Sequence, residues 1–354
     1  MPYRTDAIPE PVTERLYEGH RVWIWKLALS PDGKTLAGGG HSDDSRIHLW
    51  DVHTGEVLGT LKGHTDSVIG LAFSTDGRRL YSASYDGSLR SWDVDGKTAN
   101  ESLLVGRSLF NALALSPNGT LAAGGNDGIV YLICASALAT SDVTQRGEPA
   151  QLTFGSRIRS LAFSADGQTL AVGGSEGKLC VFQRTGDVWH ETRSYELSNT
   201  VWALAFTPDG KSVVCGTKAG KLHRVGLAHD SSERLTTLES HTRGEIRSLL
   251  FADEQTLLVG QWDTSVADGQ PGSGRLAVFS WADGELLRGV NDFCGLLDSL
   301  VLQGDGRYLL TPKNRTPGLE EPARYAPALH DFGDVHLGRG EEDTLLTVPP
   351  WAAM

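Results

Sequence analysis

Two histidine–aspartate pairs are the first residues in this chain whose types allow chemistry. His20 with Asp44, and His64 with Asp86, combine an imidazole and a carboxylate that could exchange a proton in acid–base catalysis. The pairing recurs in two copies of one repeated segment, however, and active sites do not usually come in duplicate, so a structural use is expected. Asn111, Glu245 and Asp298 offer hard oxygen ligands if the fold brings them together. The four cysteines, Cys134, Cys180, Cys215 and Cys294, each lie in or beside an apolar run and have no Cys or His neighbour at metal-ligand spacing. They read as small buried hydrophobes in a reducing compartment. No phosphate-binding GxxxxGK[ST] segment, no HExxH and no catalytic triad can be placed by spacing, so neither a cofactor nor a metal is expected.

The elements that must position these residues come from an internal echo. The stretch LALSPDGKTLAGGG, beginning at Leu27, returns as LAFSTDGRRLYSAS, LALSPNGTLAAGG, LAFSADGQTLAVGG and LAFTPDGKSVVCGT, with two worn copies, LLFADEQTLLVG and LVLQGDGRYLLT. Aligned positions are Ser30, Ser74, Ser116, Ser164, Thr207, Ala252 and Gln303, spaced by 44, 42, 48, 43, 45 and 51 residues. A period in this range implies one supersecondary unit copied along a rod or around a ring.

The second copy shows what the unit is. Val68 to Phe73 is apolar on both faces, Thr75-Asp76-Gly77 supplies a tight turn, and Leu80 to Ser84 makes a second strand. Tyr85-Asp86-Gly87 turns into a third strand, Leu89 to Val94, and a more polar fourth follows near Leu103 to Val105. Four short antiparallel strands per unit, apolar inside and polar outermost, describe a propeller blade. Through Gly63-His64, Asp86 and Trp92-Asp93, and through Gly19-His20, Asp44 and Trp50-Asp51, the unit resembles the WD-repeat β-propeller family. The resemblance implies buried hydrogen-bonded tetrads of His64, Asp86, Ser84 and Trp92, and of His20, Asp44, Ser42 and Trp50. Later copies put Ile133, Phe182, Val225 and Phe279 at the Trp position and Asp127, Glu176 and Ala219 at the Asp position, keeping the apolar plug but losing the polar set.

The expected fold is all-β, a seven-bladed propeller of four-stranded antiparallel blades anchored near residues 20, 64, 107, 155, 198, 241 and 293. One domain spans 1–354, with the tail 335–354 unassigned. Glu14 to Tyr17 is the natural strand to complete the last blade and close the ring, leaving no sticky inner edge. No signal-peptide run and no stretch of membrane-spanning length occurs, and a cytoplasmic setting is expected. The formal charge of −12 repels phosphate backbones, so nucleic-acid binding is disfavoured unless a basic patch is built locally.

Function is expected on the face where the loops entering each blade emerge. Blades six, seven and one carry long loops there, through QWDTSVADGQPGSGR and TPKNRTPGLEEPAR, and should form one raised sector. Trp262-Asp263 looks like a signature pair but falls where a turn is expected, so it is read as a decoy of the motif, and Trp262 is counted among the residues of this face. Side chains emerging with the first strands include Trp23, Trp25, Ile69, Leu109, Asn111, Arg157, Arg159, Trp202 and Arg247, joined by Tyr85 and Lys218 from the turns. Trp, Tyr and Arg around one rim have the composition of an interface hot spot. The expected function is therefore a non-catalytic scaffold, monomeric by itself, that docks a protein or peptide on this face and has no membrane partner. The alternatives are a propeller-type hydrolase or lactonase using Asn111, Glu245 and Asp298, nucleic-acid binding through Arg157, Arg159, Lys218 and Arg247, and small-ligand binding.

Overall fold

The computed structural model describes residues 13–17, 19–20, 23–104, 108–139, 149–227, 235–238, 244–263, 273–281, 286–294, 297, 299–303, 308–314 and 325–331. These residues form seven four-stranded antiparallel sheets in succession along the chain. Blade 2 is representative, with strands Val68–Phe73, Arg79–Ser84, Ser88–Asp93 and Thr98–Leu104 paired in order. The last sheet, Val301–Gln303, Tyr308–Asn314 and Tyr325–Asp331, takes its outermost strand from the N-terminus. Thr13–Leu16 pairs with it antiparallel from Thr13↔Asp331 to Leu16↔Ala328. The join is sealed on the inside by Ser299, whose Oγ accepts from Leu27 N–H and donates to the Leu27 carbonyl, both at 3.3 Å.

The conserved phrase of the repeat, Ser/Thr-x-Asp-Gly, is a turn with its own wiring. Ser30 Oγ donates to Asp32 Oδ1 at 2.6 Å, Ser74 to Asp76 at 2.6 Å, Ser164 to Asp166 at 2.5 Å and Thr207 to Asp209 at 2.6 Å. The same carboxylates accept backbone N–H groups two residues on, as Asp32 does from Lys34 at 3.1 Å. These bonds hold the carboxyls of Asp32, Asp76, Asp166 and Asp209 below the usual range, the hydroxyl being the leading cause in each. The following glycine must sit at positive φ, 72° at Gly33 and 71° at Gly77, where a side chain would be strained.

The apolar core lies between neighbouring blades. Ala37, Ile47, Leu49 and Leu61 of blade 1 meet Val68, Leu71, Leu80 and Trp92 of blade 2 in one cluster. Tyr17, Ile24, Leu27, Leu36 and Trp50 form another with Val301 of the last sheet. The small residues ending each second strand make room for the next blade. A Cβ on Gly124 would lie 2.7 Å from Ile158, and one on Gly216 would lie 2.2 Å from Ile246 Cγ2. The residues expected at the Trp position share one register: Leu36↔Trp50, Leu80↔Trp92, Leu121↔Ile133, Leu170↔Phe182, Val213↔Val225 and Leu257↔Phe279.

Four expectations need correction. In blade 2 the serine of the tetrad is Ser82, not Ser84. Ser82 Oγ meets His64 Nε2 at 2.6 Å and accepts from Trp92 Nε1 at 2.8 Å, while His64 Nδ1 meets Asp86 Oδ2 at 2.9 Å. Ser84 sits on the same pleat face at the strand end, where its Oγ donates to the Asp66 carbonyl and accepts from Asp86 N–H. In blade 1, Ser42 lies in an exposed single turn beside His41, and His20 Nε2 meets the Gly38 carbonyl at 3.0 Å instead. No serine fits at 38, since a Cβ there would be 2.8 Å from the Trp50 ring. Trp262 is not in a turn: strands Thr256–Asp263 and Ser273–Ser280 pair as far as Asp263↔Ser273, so the insertion lengthens a hairpin. Cys134 is exposed at a strand end, with Sγ 3.0 Å from Ser136 Oγ, whereas Cys180 and Cys215 are buried.

Candidate docking site at the central cavity

Each of the first six blades interrupts its innermost strand at the same place. The ladder to the second strand skips a residue between Ile24 and Lys26, Val68 and Gly70, Phe110 and Ala112, Ile158 and Ser160, Val201 and Ala203, and Ile246 and Ser248. A bulge of this kind frees one residue from the ladder and re-aims its side chain. The freed residues are Trp25, Ile69, Asn111, Arg159, Trp202 and Arg247. All six line one cavity of about 350 Å³, together with Tyr85 and, among others, Lys26, Ser299 and Leu300.

Its chemistry is donor-rich and cationic. Arg159 and Arg247 both stack on Trp202, with guanidinium carbons 4.9 and 4.3 Å from ring centroids. Burial, followed by the like charges of Arg157 and Arg247, lowers Arg159 from the usual guanidinium range. Arg159 Nε reaches Ser175 Oγ at 3.4 Å, and Arg247 pairs with Glu245 at 3.3 Å. The indole N–H groups of Trp25 and Trp202 are buried and have no hydrogen-bond partner. A buried donor left this way is destabilising by about 1–3 kcal/mol, so an acceptor that reached it would be held strongly.

The structure sorts the expected site residues into two groups. Trp25, Ile69, Tyr85, Asn111, Arg159, Trp202 and Arg247 come together at the cavity. Trp23 packs edge-on against Trp25 at 6.1 Å, and Leu109 is 42% exposed. Arg157 instead borders a separate shallow pocket with Asn126, Asp127 and Glu176. Lys218 reaches outward to Glu245 at 3.8 Å, and half-buried Trp262 lies opposite Glu245 in the ladder. Of the three side chains suggested as oxygen ligands for a hydrolase, Asn111 and Glu245 lie among the described residues. Asn111 Nδ2 donates to Asn126 Oδ1 at 2.9 Å and to the Ile158 carbonyl at 3.0 Å, and Glu245 is engaged by Arg247 and Lys218. Asp298, residues 264–272 and 315–324 of the long loops, and the tail 335–354 lie outside the described residues.

Three segments of the chain, 11–51, 55–93 and 149–183, match the family model described as WD domain, G-beta repeat. The chain is 29% identical over 241 residues to Periodic tryptophan protein 2 of Saccharomyces cerevisiae, covering 64% of this chain and 26% of that protein. It is 39% identical over 89 residues to the U3 snoRNP-associated protein-like EMB2271 of Arabidopsis thaliana, covering 25% of this chain and 18% of that protein. The chain thus spans about a quarter or less of the length of these two relatives. The solved structure of U3-55K superposes with a TM-score of 0.71 at 17% identity, over 91% of this chain and 99% of that one, a likeness of fold. The cytoplasmic expectation is corrected by these findings. It rested on the sequence alone, and a relative whose name associates it with the U3 snoRNP overturns it.

Proposed function

We propose that this WD-repeat β-propeller is a non-catalytic scaffold that docks a segment of a protein partner across the mouth of its central cavity. The observation that carries the reading is the set of six aligned bulges. They spend ladder hydrogen bonds in six blades to aim Trp25, Ile69, Asn111, Arg159, Trp202 and Arg247 at one space. Aromatic anchors flanked by guanidinium groups are the usual centre of an interface hot spot.

The chemistry of the cavity favours a partner segment rich in acceptors. Arg159 and Arg247 line the space beside Trp25 and Trp202, so a carboxylate from Asp, Glu or a chain terminus would be met by charge-assisted bonds. The net charge of −12 belongs to the whole surface and would repel such a segment elsewhere, which concentrates binding at the cavity.

A displayed random-peptide library panned on the immobilised chain tests the reading. Acidic peptides should be enriched, and their affinity should fall at least about tenfold on Trp202→Ala or Arg159→Gln, a loss of ~1.4 kcal/mol. Selected peptides that bind both variants as tightly as the parent would refute it. Retention of RNA on a filter at low salt, abolished by the same two substitutions, would reassign the cavity to nucleic acid.

A further inference from the structure

Blade 1 keeps the histidine and aspartate of the blade 2 network but not its hydrogen bonds. In blade 2 the imidazole is satisfied on both sides, by Asp86 at 2.9 Å and Ser82 at 2.6 Å. In blade 1, Gly38 stands where Ser82 stands, Arg46 where Ser88 stands, and His48 where Arg90 stands. The replacements bring a second imidazole against the carboxylate. His20 Nδ1 lies 3.3 Å and His48 Nε2 3.9 Å from Asp44 Oδ2, and the three donor atoms all lie within 4.8 Å of one another. The side chains are 0%, 7% and 0% exposed for His20, His48 and Asp44 respectively.

The far nitrogens of both rings are already anchored. His20 Nε2 meets the Gly38 carbonyl at 3.0 Å, which fixes the proton on Nε2 in the neutral ring and leaves a lone pair on Nδ1. His48 Nδ1 meets Thr60 Oγ1 at 3.3 Å. The near nitrogens, His20 Nδ1 and His48 Nε2, are both buried and have no hydrogen-bond partner. Asp44 Oδ1 is engaged by Arg46 Nε, so Oδ2 is the oxygen presented to the two rings. His20 Nδ1 therefore turns a lone pair toward the carboxylate oxygen in a space without solvent, and His48 Nε2 does the same when its Nδ1–H donates to the Thr60 hydroxyl, a convergence that a cation between them would stabilise.

We propose that His20, His48 and Asp44 form a structural site for a borderline divalent cation of the zinc class inside blade 1. The donor set of two imidazoles and one carboxylate suits such an ion. Bonds of about 2.0–2.2 Å in tetrahedral geometry put ligand atoms roughly 3.3–3.6 Å apart, the spacing of His20 Nδ1 from Asp44 Oδ2, and binding would draw His48 Nε2 inward from its 3.9 Å. Backbone and hydroxyl partners on the far ring nitrogens are the usual orienting contacts of metal-bound histidines. Arg46 limits Asp44 to one ligand oxygen. The site would tie the segment entering the ring at His20 to the Ser42–Asp44 turn and the third strand of blade 1, and it is separate from the cavity and from the docking reading.

Refolding the untagged chain with Co2+ or Zn2+, followed by native mass spectrometry and visible absorption, tests the proposal. One metal ion per chain is expected, with the d–d bands of tetrahedral Co2+ and a melting temperature that falls on chelation. His48→Ala should lose the metal and its spectrum, and the melting temperature of that variant should no longer respond to chelator. His41→Ala, a change in the exposed neighbouring turn, should keep both. Folded parent chain that stays metal-free in excess Co2+ and Zn2+ would overturn the proposal without reference to any variant. Full metal content in folded His48→Ala would overturn it as well.

Discussion

Replacing Ser82 by alanine probes the polar network of blade 2 at the atom on which it turns. The hydroxyl accepts from Trp92 Nε1 at 2.8 Å and meets His64 Nε2 at 2.6 Å, and Ser82 is fully buried. Alanine leaves two groups without partners, an indole N–H and an imidazole nitrogen, where water has no access. Each such group is destabilising by about 1–3 kcal/mol, so Ser82→Ala should lower stability by roughly 2–6 kcal/mol. Ser84→Ala removes only a strand-end contact to Asp66 and Asp86 and should lower it by about 1 kcal/mol. The assay is urea unfolding followed by tryptophan fluorescence, comparing midpoints at equal slope. Trp92→Phe supplies the cycle: with the indole N–H gone, Ser82→Ala should be less damaging than in the parent. A loss for Ser84→Ala equal to or greater than that for Ser82→Ala would refute the assignment of the network.

Gly216→Ala places a Cβ 2.2 Å from Ile246 Cγ2 and should lower stability by about 1–3 kcal/mol. Adding Ile246→Ala should reduce that penalty, and purely additive losses by urea midpoint would exclude overpacking between blades 5 and 6. Deleting residues 1–18 removes the strand paired with Tyr325–Asp331 and the fully buried Tyr17, whose hydroxyl donates to the Val52 carbonyl at 2.8 Å. The loss of Tyr17 alone is destabilising by about 3–5 kcal/mol, and an unchanged melting temperature would contradict the pairing. Burial, with help from Lys221, lowers the His223 imidazole, and burial lowers His64 against the opposing pull of Asp86. The unfolded chain therefore binds more protons, and the stability these groups confer is present above about pH 6.5 and lost as pH falls toward their folded values. Urea midpoints should decline over that interval, less steeply for His223→Gln, and an identical slope for the variant would count against it.

Much of this fold is legible because its sequence marks are local. The Ser-x-Asp-Gly turn wires itself within a few residues, and the column running from Trp50 to Phe279 follows from counting between turns. The bulged positions Trp25, Ile69, Asn111, Arg159, Trp202 and Arg247 were also accessible, since equal distance from each blade's start gives equal place around the axis. What escaped depends on depth. Ser82 and Ser84 share a pleat face, and only the reach of the Trp92 ring separates them. His48 escaped because it enters the His20–Asp44 pair across a hairpin, at a position held by Arg90 in the next blade. Trp262 falls where the other blades turn, but here the pairing with Gly274 prolongs the second strand past that point. Cys134 looked buried by its apolar neighbours, yet it is the last residue of its strand and lies open.

The central claim is that partners are met at the cavity rather than on the outer rim of the blades. Site-specific photocrosslinking in cells distinguishes the two, with a benzophenone amino acid placed at Ile69, which lines the cavity, or at Val188, which is 56% exposed on an outer strand. Protein adducts should form from position 69 and be lost when Trp202→Ala is added, while position 188 should give none that depend on Trp202. Adducts confined to position 188, or adducts at 69 that survive Trp202→Ala undiminished, would contradict the account.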